Sequence, residues 1–155
     1  MSTNEILKAC FTLVGASEEK MVEIFKLGGF TLNPKTLSGY LKPKDDKEFL
    51  DCGYEALGSF LDGLIIYKRG ESNKKSIDED VRLNNNLILK KLRIAYELKE
   101  VDLYAIFDSV DIDISKGELS SLFRKEGHKN YRACPNSILQ LFLEGLIICE
   151  EGVNL

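Results

Sequence analysis

The sequence predicts an all-α fold built by tandem duplication of a four-helix unit. Each unit is a helix-turn-helix-like hairpin followed by a buried C-terminal helix, and a pseudo-twofold axis is expected to relate the two. Three observations predict this. Phe60-Leu61-Asp62-Gly63-Leu64-Ile65-Ile66 recurs as Phe142-Leu143-Glu144-Gly145-Leu146-Ile147-Ile148. The offset of 82 positions that separates Phe60 from Phe142 holds without a gap at every other landmark. Apolar residues return at helical rather than strand spacing.

The landmarks run the length of the chain. Asn4-Glu5-Ile6-Leu7-Lys8 matches Asn86-Leu87-Ile88-Leu89-Lys90, and Ile24-Phe25 matches Ile106-Phe107. Leu37-Ser38 matches Leu119-Ser120, and Leu57 matches Leu139. Most anchors are apolar, as expected where a shared core geometry holds positions that a surface would let drift.

In the first helix of the second half, Ile88, Leu92 and Ala95 form an apolar stripe, and Asn86, Lys90, Arg93 and Glu97 are read as the opposite, polar face. The second helix carries Met21, Ile24, Phe25 and Gly28 behind a Ser17 N-cap, repeated as Leu103, Ile106, Phe107 and Val110. Gly28-Gly29 reads as its C-cap, because glycine reaches positive φ without penalty. The third helix opens with Asn33-Pro34, an N-cap followed by proline at a position that needs no N–H, and in the second half with Ser115-Lys116-Gly117-Glu118, a capping box. The signature helix follows at about 53–68 and about 135–149. It is apolar nearly all round, which predicts burial. Gly63 and Gly145 sit mid-helix, where glycine costs about 0.5–1 kcal/mol against alanine. That cost predicts a crossing of the two signature helices at these residues. Ile112-Asp113-Ile114 is the single strand-like alternation and is too short to form a strand.

The expected organisation is a first repeat at 1–70, an exposed polar linker at 71–82, and a second repeat at 83–155, the repeats sharing one core. A chain of 155 residues buries roughly 68–70% of its unfolded surface. Net charge is −4, which argues against a general binder of nucleic acid or membrane. Residues 1–20 hold no basic segment followed by an apolar one, and the apolar run Ile138 to Cys149 is shorter than the about 20 residues a bilayer needs. Cys10, Cys52, Cys134 and Cys149 lack C-x-x-C spacing, and Cys52 and Cys134 are repeat equivalents. They read as buried, inert thiols of a reduced, cytoplasmic protein.

Leu83-Asn84-Asn85-Asn86, Lys90 to Ala95, Glu118 to Lys125 and Gly127 to Arg132, with Phe60 to Ile66 and Lys68-Arg69-Gly70, resemble the YehS-like family over nearly the whole chain. These are small bacterial proteins with a duplicated domain of unknown function. Asp62 stands where asparagine is common, and Cys134-Pro135-Asn136 replaces the usual Cys-x-Asp. The resemblance implies an all-helical tandem repeat in a bacterial cytoplasm and supplies no catalytic residues.

No cofactor or metal is expected. His128 is the single histidine, with Cys134 its nearest thiol, and reads as a capping or surface residue. Phosphate-binding glycine loops are absent, and Asp108, Asp111 and Asp113 lack the spacing and closing glutamate of a calcium loop. They read as a solvated acidic stretch.

The second and third helices resemble helix-turn-helix in length and turn composition, yet Thr36, Ser38 and Gly39 offer few base-reading groups. Residues 100–113 carry five carboxylates and no base, whereas a basic segment follows them. The candidate interaction patch is Lys90, Arg93, Arg124, Lys125, His128, Lys129, Tyr131 and Arg132, with Tyr131 or Phe123 as an apolar anchor. The expected function is a non-catalytic protein-binding or regulatory module with a protein partner and no membrane. A nucleic-acid-binding regulator is the first alternative. A small-ligand or enzymatic site between the repeats, with His128 near a carboxylate or thiol, is the second.

Overall fold

The structure, a computed structural model, describes residues 1–71 and 82–153. It contains α1 (Thr3–Val14), α2 (Glu18–Leu27), α3 (Pro34–Tyr40), α4 (Gly53–Arg69), α5 (Asn85–Ala95), α6 (Glu100–Asp108), α7 (Lys116–Phe123) and α8 (Asn136–Val153). No strand occurs among the described residues. The chain divides into two compact units, Met1–Leu83 and Asn84–Leu155, each with four helices in the same order. The expected linker falls mostly at 72–81, outside the described residues.

The caps that the sequence marks are made. Ser17 Oγ accepts the N–H of Lys20 at 3.2 Å, and Asn33 Oδ1 accepts that of Thr36 at 2.8 Å. Ser115 and Glu118 close a reciprocal box, with Glu118 N–H donating to Ser115 Oγ at 3.1 Å. Each bond satisfies a first-turn donor that the helix itself leaves open. Ser2 and Asn84, equivalent by repeat, cap α1 and α5 in the same way.

In unit 1 the core gathers around Phe25, whose ring lies 5.1 Å from Phe60, 5.9 Å from Phe30 and 6.4 Å from Tyr40, centroid to centroid. Unit 2 keeps one such pair, Phe107 and Phe142 at 5.7 Å. Leu122 and Ile112 occupy the places of Tyr40 and Phe30.

The signature glycines mark a different crossing from the one the sequence suggests. A Cβ on Gly63 would run into the backbone carbonyl of Ile24 in α2 and lie 2.9 Å from the nitrogen of Gly28, the C-cap of that helix. A Cβ on Gly28 would in turn meet the carbonyl of Ser59 on α4. In unit 2, Gly145 faces Ile106 of α6. Each glycine therefore lets α4 or α8 approach the second helix of its own unit; the repeated motif could not say which helix was the neighbour. Gly28 itself has φ −84°, so packing, not backbone conformation, requires it. The left-handed residue of that C-cap is Gly29, φ 88°.

Burial of the signature helix differs between units. In α4, Ile65 and Ile66 are buried; in α8, Ile147 is half-buried and Ile148 is 49% exposed. The all-round apolar character of α8 thus exceeds what its packing covers. No helix among the described residues is long and apolar enough to cross a membrane.

Candidate interaction site on the second repeat

The site is assembled on Asn86. Sequence reading placed this residue on the polar face of α5, but it is buried, 9% exposed. Its Nδ2 donates to Leu122 O at 3.0 Å and Arg132 O at 2.8 Å, while its Oδ1 accepts the N–H of Cys134 at 2.9 Å. One carboxamide thereby satisfies three backbone groups at both ends of the segment joining α7 to α8. Only an amide side chain of this length supplies two donors and an acceptor together. Asn4 does the same in unit 1, to Tyr40 O, Leu50 O and Cys52 N at 2.9, 2.8 and 3.0 Å. The recurring Asn4/Asn86 pair was the signal available in the sequence. The acceptors that explain it lie 36 and 46 positions away, where no periodicity points.

The rest of the loop follows the same frame in both units. Arg132 N–H donates to Ser121 O and Leu50 N–H to Gly39 O, both at 3.0 Å. His128 Nδ1 accepts the N–H of Asn130 at 3.0 Å; at the equivalent place Asp46 Oδ1 accepts that of Glu48 at 2.8 Å. His128 therefore braces its turn with a ring nitrogen while its side chain stays at the surface.

Side chains on the frame diverge. Residues 42–51 carry Lys42, Lys44 and Lys47 against Asp45, Asp46, Glu48 and Asp51; residues 124–133 carry Arg124, Lys125, Lys129 and Arg132 against Glu126 alone. The last four bases and His128 are exposed and share one loop. Lys90 is also exposed, one turn beyond Asn86 on the same side of α5.

Two members of the predicted patch are committed to the fold. Arg93 is half-buried, donates from Nε to Leu98 O at 3.1 Å, and lays its guanidinium 4.9 Å from the centroid of Phe123. Tyr131 donates its hydroxyl to Asn86 Oδ1 at 3.2 Å. Desolvation first, then Glu126 and Cys134, push the Tyr131 phenol above its ordinary pKa. Phe123 and Tyr131 thus hold the loop in place and do not project as apolar anchors.

Along the outer side of α7 runs an open cleft of about 550 Å³, lined by Lys116, Gly117, Ser120, Ser121, Arg124 and Asn130. Sequence reading did not group these residues, although Lys116, Ser120 and Arg124 fall at helical i, i+4, i+8 spacing. Behind the loop Cys134 is buried, and burial pushes its thiol up to about 11. Cys52, its equivalent, is pushed up to about 12 by burial and then by Asp51. No group of three His, Cys, Asp or Glu placed to hold a metal occurs among the described residues.

Comparison with known proteins places the repeat in context. A family model described as a protein of unknown function, DUF1456, matches residues 3–70 and again residues 85–152. The uncharacterized protein YehS of Escherichia coli (strain K12) is 35% identical over 147 residues, covering 94% of each chain. No solved structure matches. Both units match the model separately and in the same helix order, so the chain belongs to the DUF1456 family and carries its domain twice.

Proposed function

We propose that this chain is a non-catalytic, cytoplasmic protein-binding module whose contact edge is the basic loop Arg124 to Arg132. One observation carries the reading: the same backbone frame, fixed by Asn4 and Asn86, presents a mixed set of three lysines and four carboxylates in unit 1 and a basic set in unit 2. A loop held by buried amide bonds loses little freedom on binding, so a partner meets a preorganised surface. Four exposed bases around His128 favour an acidic protein surface, with rate and specificity set by charge. The test is affinity capture from cell extract with wild type and an Arg124→Ala/Lys125→Ala/Lys129→Ala variant, followed by reconstitution with the purified captured protein. A partner retained by wild type and lost by the variant is expected. Capture indifferent to the three substitutions overturns the reading.

The α7 cleft favours a second reading. Two small residues, Gly117 and Ser120, between Lys116 and Arg124 suit close approach of a phosphate backbone. Titration with mixed-sequence DNA and RNA at low and moderate salt separates the two. Affinity weaker than about 10⁻⁴ M at low salt removes nucleic acid as the partner.

A further inference from the structure

A second surface of unit 2, sharing no residue with the basic loop, lies on α6. Val101, Tyr104 and Ala105 occupy one face of that helix, and Ile112 and Ile114 come back alongside it from the segment that follows. Together with Asp108 and Asp113 they line an open groove of about 360 Å³. Val101 is 70% exposed, the most exposed large apolar residue described. The Ile112-Asp113-Ile114 alternation makes no strand, but it lays two isoleucines beside α6 with a carboxylate between them.

The equivalent face of unit 1 is built otherwise. Glu19, Glu23 and Lys26 stand in place of Val101, Ala105 and Asp108, and Glu23 pairs with Lys20 at 2.9 Å. Phe30, replacing Ile112, sets its ring at a tilt against Phe25, and Leu32, replacing Ile114, is buried. The first repeat thus shows that this helix pair needs no exposed valine or alanine here. Of the groove's helical apolar residues, Val101 and Ala105 have charged counterparts in unit 1, and Tyr104 has Val22.

We infer that the α6 groove docks a short segment of another protein bearing one or two apolar anchors flanked by lysine or arginine. Size and charge select that occupant. From Val101 to Asp108 the helix rises about 10 Å, the reach of roughly three extended residues or two helical turns. Such a length accommodates a peptide segment rather than a folded interface of the usual area. Residues 100–113 carry Glu100, Asp102, Asp108, Asp111 and Asp113 with no base, and all but Asp102, which is half-exposed, are exposed. An anchor entering the floor brings its flanks against this field, so cationic neighbours are favoured and acidic ones repelled. The apolar anchor supplies the burial that holds the segment, and the rim chooses its sequence.

Selection of a displayed random peptide library on the full chain, followed by fluorescence anisotropy with the enriched peptides, tests the inference. Enriched sequences are expected to carry an apolar residue with at least two basic flanks. Their affinity should fall at least about tenfold in Val101→Glu/Ala105→Glu, which installs the unit 1 residues, and in Asp108→Lys/Asp113→Lys. It should be unchanged in the Arg124→Ala/Lys125→Ala/Lys129→Ala variant, so failure here and failure of the basic-loop reading give different results. All four positions of the two double variants are exposed, and matching circular dichroism and urea midpoints confirm that they fold. No enrichment, enrichment of acidic or uncharged peptides, or retained binding by Val101→Glu/Ala105→Glu overturns the inference. So does concentration-dependent self-association abolished by that variant, which would make the occupant a second copy of the chain.

Discussion

Where α2 meets α4, two glycines face each other; where α6 meets α8, one glycine faces a helix followed by Val110 at the matching place. The two units share helix order and the asparagine-held loop, yet unit 1 gathers three rings about Phe25, whereas in unit 2 the Phe107–Phe142 pair has Leu122 and Ile112 in place of the other two rings. Both units leave large apolar side chains at the surface, Leu27, Leu50, Tyr54 and Tyr67 in unit 1 and Val101 and Ile148 in unit 2, with Val101 the most exposed. The backbone frame has been kept in both copies, while core tightness and surface chemistry have not. The copy with the fewer core rings bears the basic loop and the α6 groove.

The glycine crossings offer the largest perturbation. Gly63→Ala, or Gly28→Val carrying the unit 2 residue into unit 1, sets a side-chain carbon against backbone that cannot turn away. We expect a loss of roughly 3 kcal/mol from either, read as a urea midpoint. Gly145→Ala should cost less, about 1–2 kcal/mol, because part of its obstruction is the Ile106 side chain. Equal losses in the two units would remove the difference in tightness.

The asparagine clamps should behave alike, which tests the shared frame. Asn4→Ala and Asn86→Ala each strand two carbonyls and one N–H in partly or fully buried surroundings, with an expected loss of about 2–3 kcal/mol. Asn86→Asp keeps the acceptor and loses both donors, so it should fall close to alanine. An aspartate variant as stable as wild type would show that the carbonyl bonds contribute nothing.

The thiols give a pH-dependent contrast. Burial raises the folded-state pKa of Cys52 to about 12 and of Cys134 to about 11, from an ordinary value of 9.0. Because the folded state favours the neutral thiol, the stabilisation is complete below pH 9 and is lost as pH climbs toward the folded values. The urea midpoint should decline over that window, and Cys134 should label with a thiol reagent before Cys52 as pH rises, since the thiolate is the reactive form. Rapid labelling of both in native protein at neutral pH would contradict their burial.

Tyr131→Phe is a smaller change that makes the unit 2 loop match Phe49 of unit 1. It removes the hydroxyl bonded to Asn86 but leaves the other three bonds of the clamp, for an expected loss of about 0.5–1.5 kcal/mol. A loss near that of Asn86→Ala would show the tyrosine, not the amide, to be the main brace.

Much of this fold was legible in the sequence because its signals are local. Ser17, Asn33 and the Ser115–Glu118 box announce helix starts within a few residues of the donors they satisfy. The constant offset exposed the duplication, and apolar spacing marked Phe25, Phe60, Phe107 and Phe142, all buried. What stayed hidden depends on distant partners. The motif holding Gly63 and Gly145 repeats once per unit, so it could not reveal that the crossing lies within each unit. Asn86 looked like a surface amide because its carbonyl partners are on another helix and a loop. Of the predicted patch, the bases at 124, 125, 129 and 132 do share a loop, whereas the internal bonds of Arg93 and Tyr131 to distant groups leave no local signal in the sequence. The α6 groove was missed because the exposure of Val101 depends on what fails to cover it, and five carboxylates nearby made the stretch read as merely solvated.

The smallest expected effect tests how faithfully the second copy keeps the backbone of the first. Gly29 ends the α2 cap at φ 88°, and its equivalent Asp111 holds φ 61° after α6. The hydrogen bonding is common to both: Gly29 N–H donates to Lys26 O at 2.9 Å and Asp111 N–H to Asp108 O at 3.0 Å, while Phe30 and Ile112 N–H return to Phe25 O and Phe107 O. An L residue meets a steric penalty in this region of about 1–2 kcal/mol, less for aspartate than for most, and glycine escapes it. Glycine also gives the unfolded chain more freedom, which offsets part of the gain. Asp111→Gly should therefore raise stability by about 0.5 kcal/mol, and Gly29→Asp should lower it by a similar amount. The same substitution removes one of the carboxylates around the α6 groove, so basic peptides should bind slightly more weakly, by less than in Asp108→Lys/Asp113→Lys. Higher stability with weaker peptide binding would assign Asp111 to the surface of the second repeat and not to its fold. A lower midpoint would mean instead that the carboxylate stabilises the turn, and the left-handed strain would cease to distinguish the two copies.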